Sequence, residues 1–211
     1  MSDSKNKFHH IAIAGNIGSG KTTLANLLSK HYNWEIQLED MDENPYITDF
    51  YEDMQRWSFN LQVYFLNVRF KNIQKIRSSN QTVIQDRTIY EDAKIFAPNL
   101  HAMGLMSTRD FENYIALFDS LNQMIQPPDL LIYLRGTIPT LVKQIQLRGR
   151  DYEDGIRLDY LKRLNERYEA WISSYKGRLL VLDIDELDFA NDKNDANLVL
   201  TKVEAEINGL F

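Results

Sequence analysis

Apolar residues in this chain fall into short runs separated by longer stretches with helical spacing. Runs at His10–Ala14, Glu35–Leu38, Thr82–Gln85, Leu130–Leu134 and Leu179–Leu182 predict five strands. Between them the spacing is helical, as in Leu24, Leu27 and Leu28 after the first strand, and Leu198, Val203 and Ile207 near the end. Strand alternating with helix predicts an α/β protein, a five-stranded parallel sheet with helices on both faces. Pro127-Pro128 punctuates the approach to the fourth strand, and Asn191 to Asp195 is a polar loop before the last helix. No internal repeat or low-complexity segment interrupts the pattern.

Two helical stretches carry more apolar residues than one buried face needs. From Arg56 to Ile76, Trp57, Leu61, Phe65, Val68 and Ile76 mark one stripe, while Phe59, Val63, Phe70 and Ile73 populate other faces. Phe111, Tyr114, Ile115, Phe118, Leu121 and Ile125 form a second rich helix. Burial within one chain explains this plainly. The sharper expectation is a homodimer formed through a helix bundle.

Composition narrows the classes. With 211 residues, 44% of them hydrophobic, the chain suffices for one substantial core, so residues 1–211 are expected to form a single domain. A formal net charge of −6 speaks against a nucleic-acid backbone as partner. The absence of cysteine excludes disulfides, thiolate zinc sites and a cysteine nucleophile, and suits a cytoplasmic protein. Met1 to Lys7 is polar, and no apolar run reaches the roughly 18 residues of a membrane span. Neither secretion nor a membrane partner is expected.

The strongest chemical signal is Gly15-Asn16-Ile17-Gly18-Ser19-Gly20-Lys21-Thr22-Thr23, a complete G-x-x-x-x-G-K-[ST] phosphate loop between a strand and a helix. Its glycines let backbone N–H groups converge on phosphate oxygens, and the helix dipole adds to the same field. Lys21 can reach the β- and γ-phosphates, and the Thr22 hydroxyl can ligate Mg²⁺. After the third strand comes Asp86-Arg87, at the end of a parallel sheet where ligands bind. A carboxylate there can hold Mg²⁺, and the arginine can steady a phosphoryl group or the attacking oxygen.

Arg148 and Arg150, flanking Gly149 in Leu147–Glu153, suit a lid over about 146–156 that closes on the transferring phosphate. Glu39-Asp40-Met41-Asp42-Glu43-Asn44-Pro45-Tyr46 follows the second strand. One of its carboxylates can accept the proton of an acceptor hydroxyl. Glu43 is the candidate, though the residues themselves do not separate it from Asp40 or Asp42.

Together these motifs resemble the deoxynucleoside kinases, in particular the deoxycytidine, deoxyguanosine and deoxyadenosine kinase branch with its bacterial members. The resemblance runs from the first strand to near Asp188-Phe189. Its most specific part is Tyr51, Arg56-Trp57, Gln62 and Arg69, followed by Asp86-Arg87-Thr88-Ile89-Tyr90-Glu91-Asp92. The family's usual Glu-Arg-Ser stands here as Asp-Arg-Thr, and its glutamate-proline as Glu43-Asn44-Pro45.

The resemblance implies the P-loop kinase fold and transfer of the ATP γ-phosphate to the 5′-hydroxyl of a deoxynucleoside. Glu43 would then be the general base. Arg87 would hold the attacking oxygen, and Asp86 with Thr22 would position Mg²⁺. Gly15, Asn16, Gly18, Ser19, Gly20, Lys21, Thr22 and Thr23 would bind ATP with the lid residues Arg148 and Arg150, and Asp188-Phe189 would lie against its adenine. Tyr51 and Glu153 would grip the sugar 3′-hydroxyl, Trp57 would wall the base, and Gln62 would bond its edge.

Arg69 and Asp92 match relatives that prefer deoxycytidine or purine deoxynucleosides over thymidine. The Glu43-Asn44-Pro45 and Arg148-Gly149-Arg150-Asp151 details favour deoxyadenosine, then deoxyguanosine, with deoxycytidine as alternative. One departure is Gln144, where many relatives carry a further lid arginine.

Two other readings compete. A thymidylate-type nucleoside monophosphate kinase shares the three motifs, but an anionic acceptor would meet many carboxylates and only Arg56 between Glu39 and Asn60. A non-enzymatic nucleotide-sensing module needs neither Glu43 nor the Tyr51 and Glu153 pair. His9-His10 reads as the polar start of a strand, since no further metal ligands are evident.

Overall fold

A computed structural model describes residues 8–38, 44–149 and 156–209. Glu39 to Glu43 and Arg150 to Gly155 lie outside the described residues, and with them the expectations for Glu43, Arg150 and Glu153. The five expected strands are present, displaced by at most one residue at either end: β1 His10–Gly15, β2 Glu35–Gln37, β3 Val83–Asp86, β4 Leu130–Arg135 and β5 Leu179–Asp183. All pairings are parallel, in the order β2-β3-β1-β4-β5.

Alternation along β1 explains the two layers. Ile11 and Ile13 face a core with Leu24 and Leu28 of α1 (Lys21–Tyr32) and with Val199 and Val203 of α9 (Lys193–Asn208). Ala12 and Ala14 face the other side. There small side chains admit the large residues of α3 (Met54–Ser78), α6 (Thr108–Asn122) and α8 (Leu158–Ser173). Among the described residues no helix is long and apolar enough to cross a membrane.

The 25-residue α3 starts where the Asp53 side chain accepts from the Arg56 amide at 3.0 Å. Its buried stripe is Ser58, Leu61, Gln62, Phe65, Leu66, Arg69, Ile73 and Ile76. Trp57 and Val68, expected on the buried face, are only half-covered, because the stripe is rotated toward the polar pair Gln62 and Arg69. Phe59, Val63 and Phe70 also stay half-buried in this chain.

After β3 the chain enters α4 (Ile89–Glu91), widens into a π-helical turn over Asp92–Phe96, and continues as α5 (Ala97–Ala102). The turn closes with the Ala97 amide on the Asp92 carbonyl. Nothing in the hydrophobic spacing announced it. Such turns concentrate at functional sites, and this one helps bring both Asp92 and Phe96 to a cavity wall.

Candidate active site

The carboxyl ends of β1 and β3 open into a cavity of about 480 Å³. On one side lies the phosphate loop, with Gly18, Gly20, Lys21, Thr22 and Thr23 exposed to it. Gly18 has φ 84°, and a Cβ there would lie 2.6 Å from the Leu141 carbonyl oxygen. Only glycine lets this turn lie so close to α7 (Ile138–Arg148). Lys21, itself buried, folds over the loop and donates to the Gly15 and Asn16 carbonyls at 2.9 Å each.

Asp86 and Thr22 meet as expected for a shared cation site: the Thr22 hydroxyl donates to Asp86 Oδ2 at 2.6 Å. Asp86 Oδ1 is buried and has no hydrogen-bond partner among the described residues. Hard oxygen donors, one of them unsatisfied, beside a phosphate loop suit Mg²⁺, which takes few protein ligands and fills its shell with phosphate oxygens and water. Among the described residues no cluster of three or more His, Asp or Glu offers a rival metal site.

Arg87 sits in the left-handed region at φ 68°, uncommon for a residue with a side chain and worth roughly 1–2 kcal/mol of strain. Its amide donates to the Ile13 carbonyl at 3.0 Å, and its guanidinium lies 4.5 Å from the centre of the Phe96 ring. The strained backbone aims the side chain along the cavity instead of along the helix that follows.

The opposite wall is formed by α2 (Ile47–Glu52) and α3, through Ile47, Phe50, Tyr51, Leu61, Gln62 and Phe65. Here Arg69 and Asp92 form a buried ion pair at 2.8 Å, their side chains 4% and 2% exposed. The Arg69 guanidinium also stacks 4.6 Å from the Phe65 ring centre. Gln62 is buried, and its Oε1 has no hydrogen-bond partner among the described residues, so it presents an acceptor to the cavity it lines. Across the mouth stand Gln144, Leu147 and Arg148 of α7. Gln144 thus occupies a cavity-facing position one turn before Arg148, and a neutral amide lies where a further cation is expected. Gly149, at φ 61°, ends the helix there.

Several of the expected residues lie elsewhere. Trp57 does not line the cavity; its ring is engaged by Tyr46 at 5.8 Å and by the Arg56 guanidinium at 4.5 Å. Phe50, Phe65 and Phe96 supply the aromatic walls instead. The Asn16 side chain turns to α8, donating to the Leu161 carbonyl and Asn165 Oδ1 at 3.1 Å each. Phe189 is buried behind the phosphate loop, where a Cβ on Gly20 would be 3.4 Å from its ring, while the Asp188 carboxylate accepts from Asn191. Gly15 and Ser19 lie behind the cavity-facing glycines.

One residue quoted within the family motif was given no role. Glu91 is wholly buried at the base of the loop. Burial pushes its carboxyl above the ordinary carboxylate range, and the charges of Arg87 and Lys21 pull it back. The available signal was Thr88-Ile89-Tyr90-Glu91, a capping-box spacing at a helix start. That spacing reports a helix end, not a tie to a distant loop.

Known proteins resemble this chain over nearly all of its length. Residues 11–208 match the family model described as "Deoxynucleoside kinase". The chain is 38% identical over 211 residues to "Deoxyadenosine/deoxycytidine kinase" of Bacillus subtilis, covering 95% of this chain and 97% of that protein. It is 35% identical over 207 residues to "Deoxyguanosine kinase" of Lactobacillus johnsonii, covering 93% and 92%. Among solved structures, deoxyadenosine kinase from M. mycoides with bound dCTP superposes with a TM-score of 0.82 at 31% identity, covering 93% of this chain and 99% of that one.

Proposed function

This chain belongs to the deoxynucleoside kinase family and phosphorylates deoxynucleosides from ATP, and we propose that its preferred acceptor is a purine deoxynucleoside, deoxyadenosine before deoxyguanosine. The observation that carries this reading is the buried Arg69–Asp92 pair beside the unsatisfied Gln62 oxygen. An acceptor oxygen and a donor–acceptor pair suit a base edge bearing an amino group. A thymine methyl against the same groups would leave them unpaired, which is how a buried polar site rejects a poor match. The family places the acceptor among neutral nucleosides, which sets aside a monophosphate acceptor and a purely sensory role.

Deoxycytidine is the second reading. It also carries an amino-bearing edge, and the Bacillus relative is named for both nucleosides while the M. mycoides structure holds dCTP.

In the proposed mechanism the loop amides and Lys21 hold the donor phosphates, and Arg148 and Arg150 close on them from the lid. Tyr51, with Glu153, takes the sugar hydroxyl. Glu43 accepts the proton as the 5′-oxygen attacks, and Arg87 holds that oxygen in line with the γ-phosphate. Thr22 and Asp86 would hold Mg²⁺, which neutralises charge on the phosphate oxygens when bound. Positioning and charge supply most of the acceleration, because phosphoryl transfer asks little covalent chemistry of the protein. Residues 1–211 act as one domain in this reading. The half-buried Phe59, Val63 and Phe70, with Leu117 and Met124 exposed on and beyond α6, support a homodimer. A negative, cysteine-free chain suits the cytoplasm.

The test is an ATP and Mg²⁺ assay of kcat/KM across the four deoxynucleosides, adenosine and thymidine monophosphate. Deoxyadenosine should lead and thymidine should trail by at least about tenfold, the scale of one lost buried hydrogen-bond match. Thymidine or its monophosphate as the best substrate would overturn the reading.

A further inference from the structure

We propose that Glu91 is a positioning residue, a buried carboxylate that fastens the phosphate loop, the Asp86-Arg87-Thr88 turn and helix α8 into one arrangement without touching either substrate. This deepens the proposed function and rests on it. Glu91 is fully buried and absent from the cavity wall. Its Oε2 accepts from the Thr88 amide at 2.6 Å. Its Oε1 accepts from the Tyr168 hydroxyl at 2.8 Å and, more weakly, from the Gly15 amide at 3.4 Å. The donors come from 3, 77 and 76 residues away, so one carboxylate joins three segments that the chain does not otherwise connect locally.

The choice of side chain is informative. Burying a carboxylate is expensive unless hydrogen bonds and nearby cations compensate it. Here Lys21 and Arg87 supply the cations. Two of the three partners are backbone N–H groups, which can only donate. A glutamine would aim an NH₂ at one side of this arrangement and lose an acceptor there. Only a carboxylate presents acceptors in every direction.

The consequence falls on Arg87. Its own amide is held by the Ile13 carbonyl at 3.0 Å, and the next amide, that of Thr88, is held by Glu91. Both peptide groups flanking the left-handed residue are therefore fixed, one by β1 and one by Glu91. Without the second tie the backbone can relax from φ 68° toward an ordinary helical turn, and the guanidinium would swing from the cavity. Tyr168 is itself set by its ring, stacked 5.9 Å from Tyr133 of β4. The third segment, α8, is held through Tyr168 in its middle, so the same carboxylate ties the body of that helix to the loop.

The test compares Glu91→Gln and Tyr168→Phe with the wild-type enzyme. Under saturating ATP and deoxynucleoside, at a temperature where circular dichroism shows each variant folded, Glu91→Gln should lower kcat at least tenfold. The deoxynucleoside KM should stay within about twofold. Tyr168→Phe, which removes one of three donors, should lower kcat about threefold in the same sense. Hydrogen exchange should quicken in both variants at the Gly15 and Thr88 amides together.

A fall in melting temperature with unchanged kcat and unchanged exchange at those amides would overturn the proposal, leaving Glu91 a packing residue. If Glu91→Gln does not fold, Tyr168→Phe decides by the same two readouts. A wild-type protein inactive on every deoxynucleoside would instead sink the reading of the site, and the exchange experiment alone would then judge Glu91.

Discussion

In the proposed function, the two ends of the cavity recognise their ligands by different physical means. At the donor end, one continuous stretch from Gly15 to Thr23 presents mostly backbone, shaped by glycines and the start of α1. At the acceptor end, side chains from three separate elements converge: Tyr51 from α2, Gln62 from α3 and Asp92 from the π turn, while Arg69 of α3 pairs with Asp92 without lining the cavity. Backbone amides bind any phosphate tail alike, so the donor end fixes the type of reaction. Side chains with directional donors and acceptors distinguish one base from another, so the acceptor end sets the substrate. Changing one end should therefore leave the other largely intact.

The largest expected effect is on the transfer step itself. Glu43→Gln should retain deoxynucleoside binding and lose at least roughly a hundredfold in turnover, the low end for general-base catalysis. Titration calorimetry with deoxyadenosine beside steady-state kinetics separates the two quantities. Unchanged turnover would remove Glu43 from the mechanism.

A break confined to the donor end comes next. Gly18→Ala puts a Cβ 2.6 Å from the Leu141 carbonyl oxygen at φ 84°, so the loop must shift. ATP KM should rise at least tenfold while deoxyadenosine affinity in a direct binding measurement stays within twofold. Loss of nucleoside affinity to the same degree would show that the ends are not separable.

The smallest effect touches neither end. His10, at the amino end of β1, is buried with Nε2 2.7 Å from Gln85 Oε1. Burial lowers its pKa below the usual 6.5, against the opposing influence of Gln85 and Asp129 and with a smaller push from Arg77 in the same direction. As pH falls through about 6.5 the unfolded chain takes up a proton that the folded chain refuses, so stability declines until the folded pKa is reached. Urea unfolding at pH 7.5 and 5.5 should show a larger loss for wild type than for His10→Gln, with equal kcat for both at pH 7.5. Equal losses would place the pH dependence elsewhere.

The same contrast explains what the sequence disclosed. Strands and the phosphate loop depend on neighbouring residues, and each was legible within a few positions of where it lies. Thr22 and Asp86 were linked by the family resemblance, and their motifs follow β1 and β3, which are paired in the sheet. By contrast, Arg69 and Asp92 are 23 residues apart, and only the family resemblance linked them. The π turn left no mark in the apolar spacing, because it adds one residue to a turn without changing which residues are apolar. Trp57 was placed at the base by the family resemblance, and motif matching does not reveal that its ring packs on Tyr46 and Arg56. Glu91 advertised a helix cap, while its bonds to Gly15 and Tyr168 exist only in the folded chain.

The most direct measurement of the central claim is a double substitution at the acceptor end, Arg69→Met with Asp92→Ala. Removing both partners avoids the roughly 3–5 kcal/mol penalty of stranding one buried charge. The ratio of kcat/KM for deoxyadenosine to that for thymidine, and the KM for ATP, are measured for wild type and variant. The ratio should shift toward thymidine at least tenfold while the ATP KM stays within about twofold. An unaltered ratio, or an ATP KM that moves as far as the ratio, would contradict the separation of the two ends.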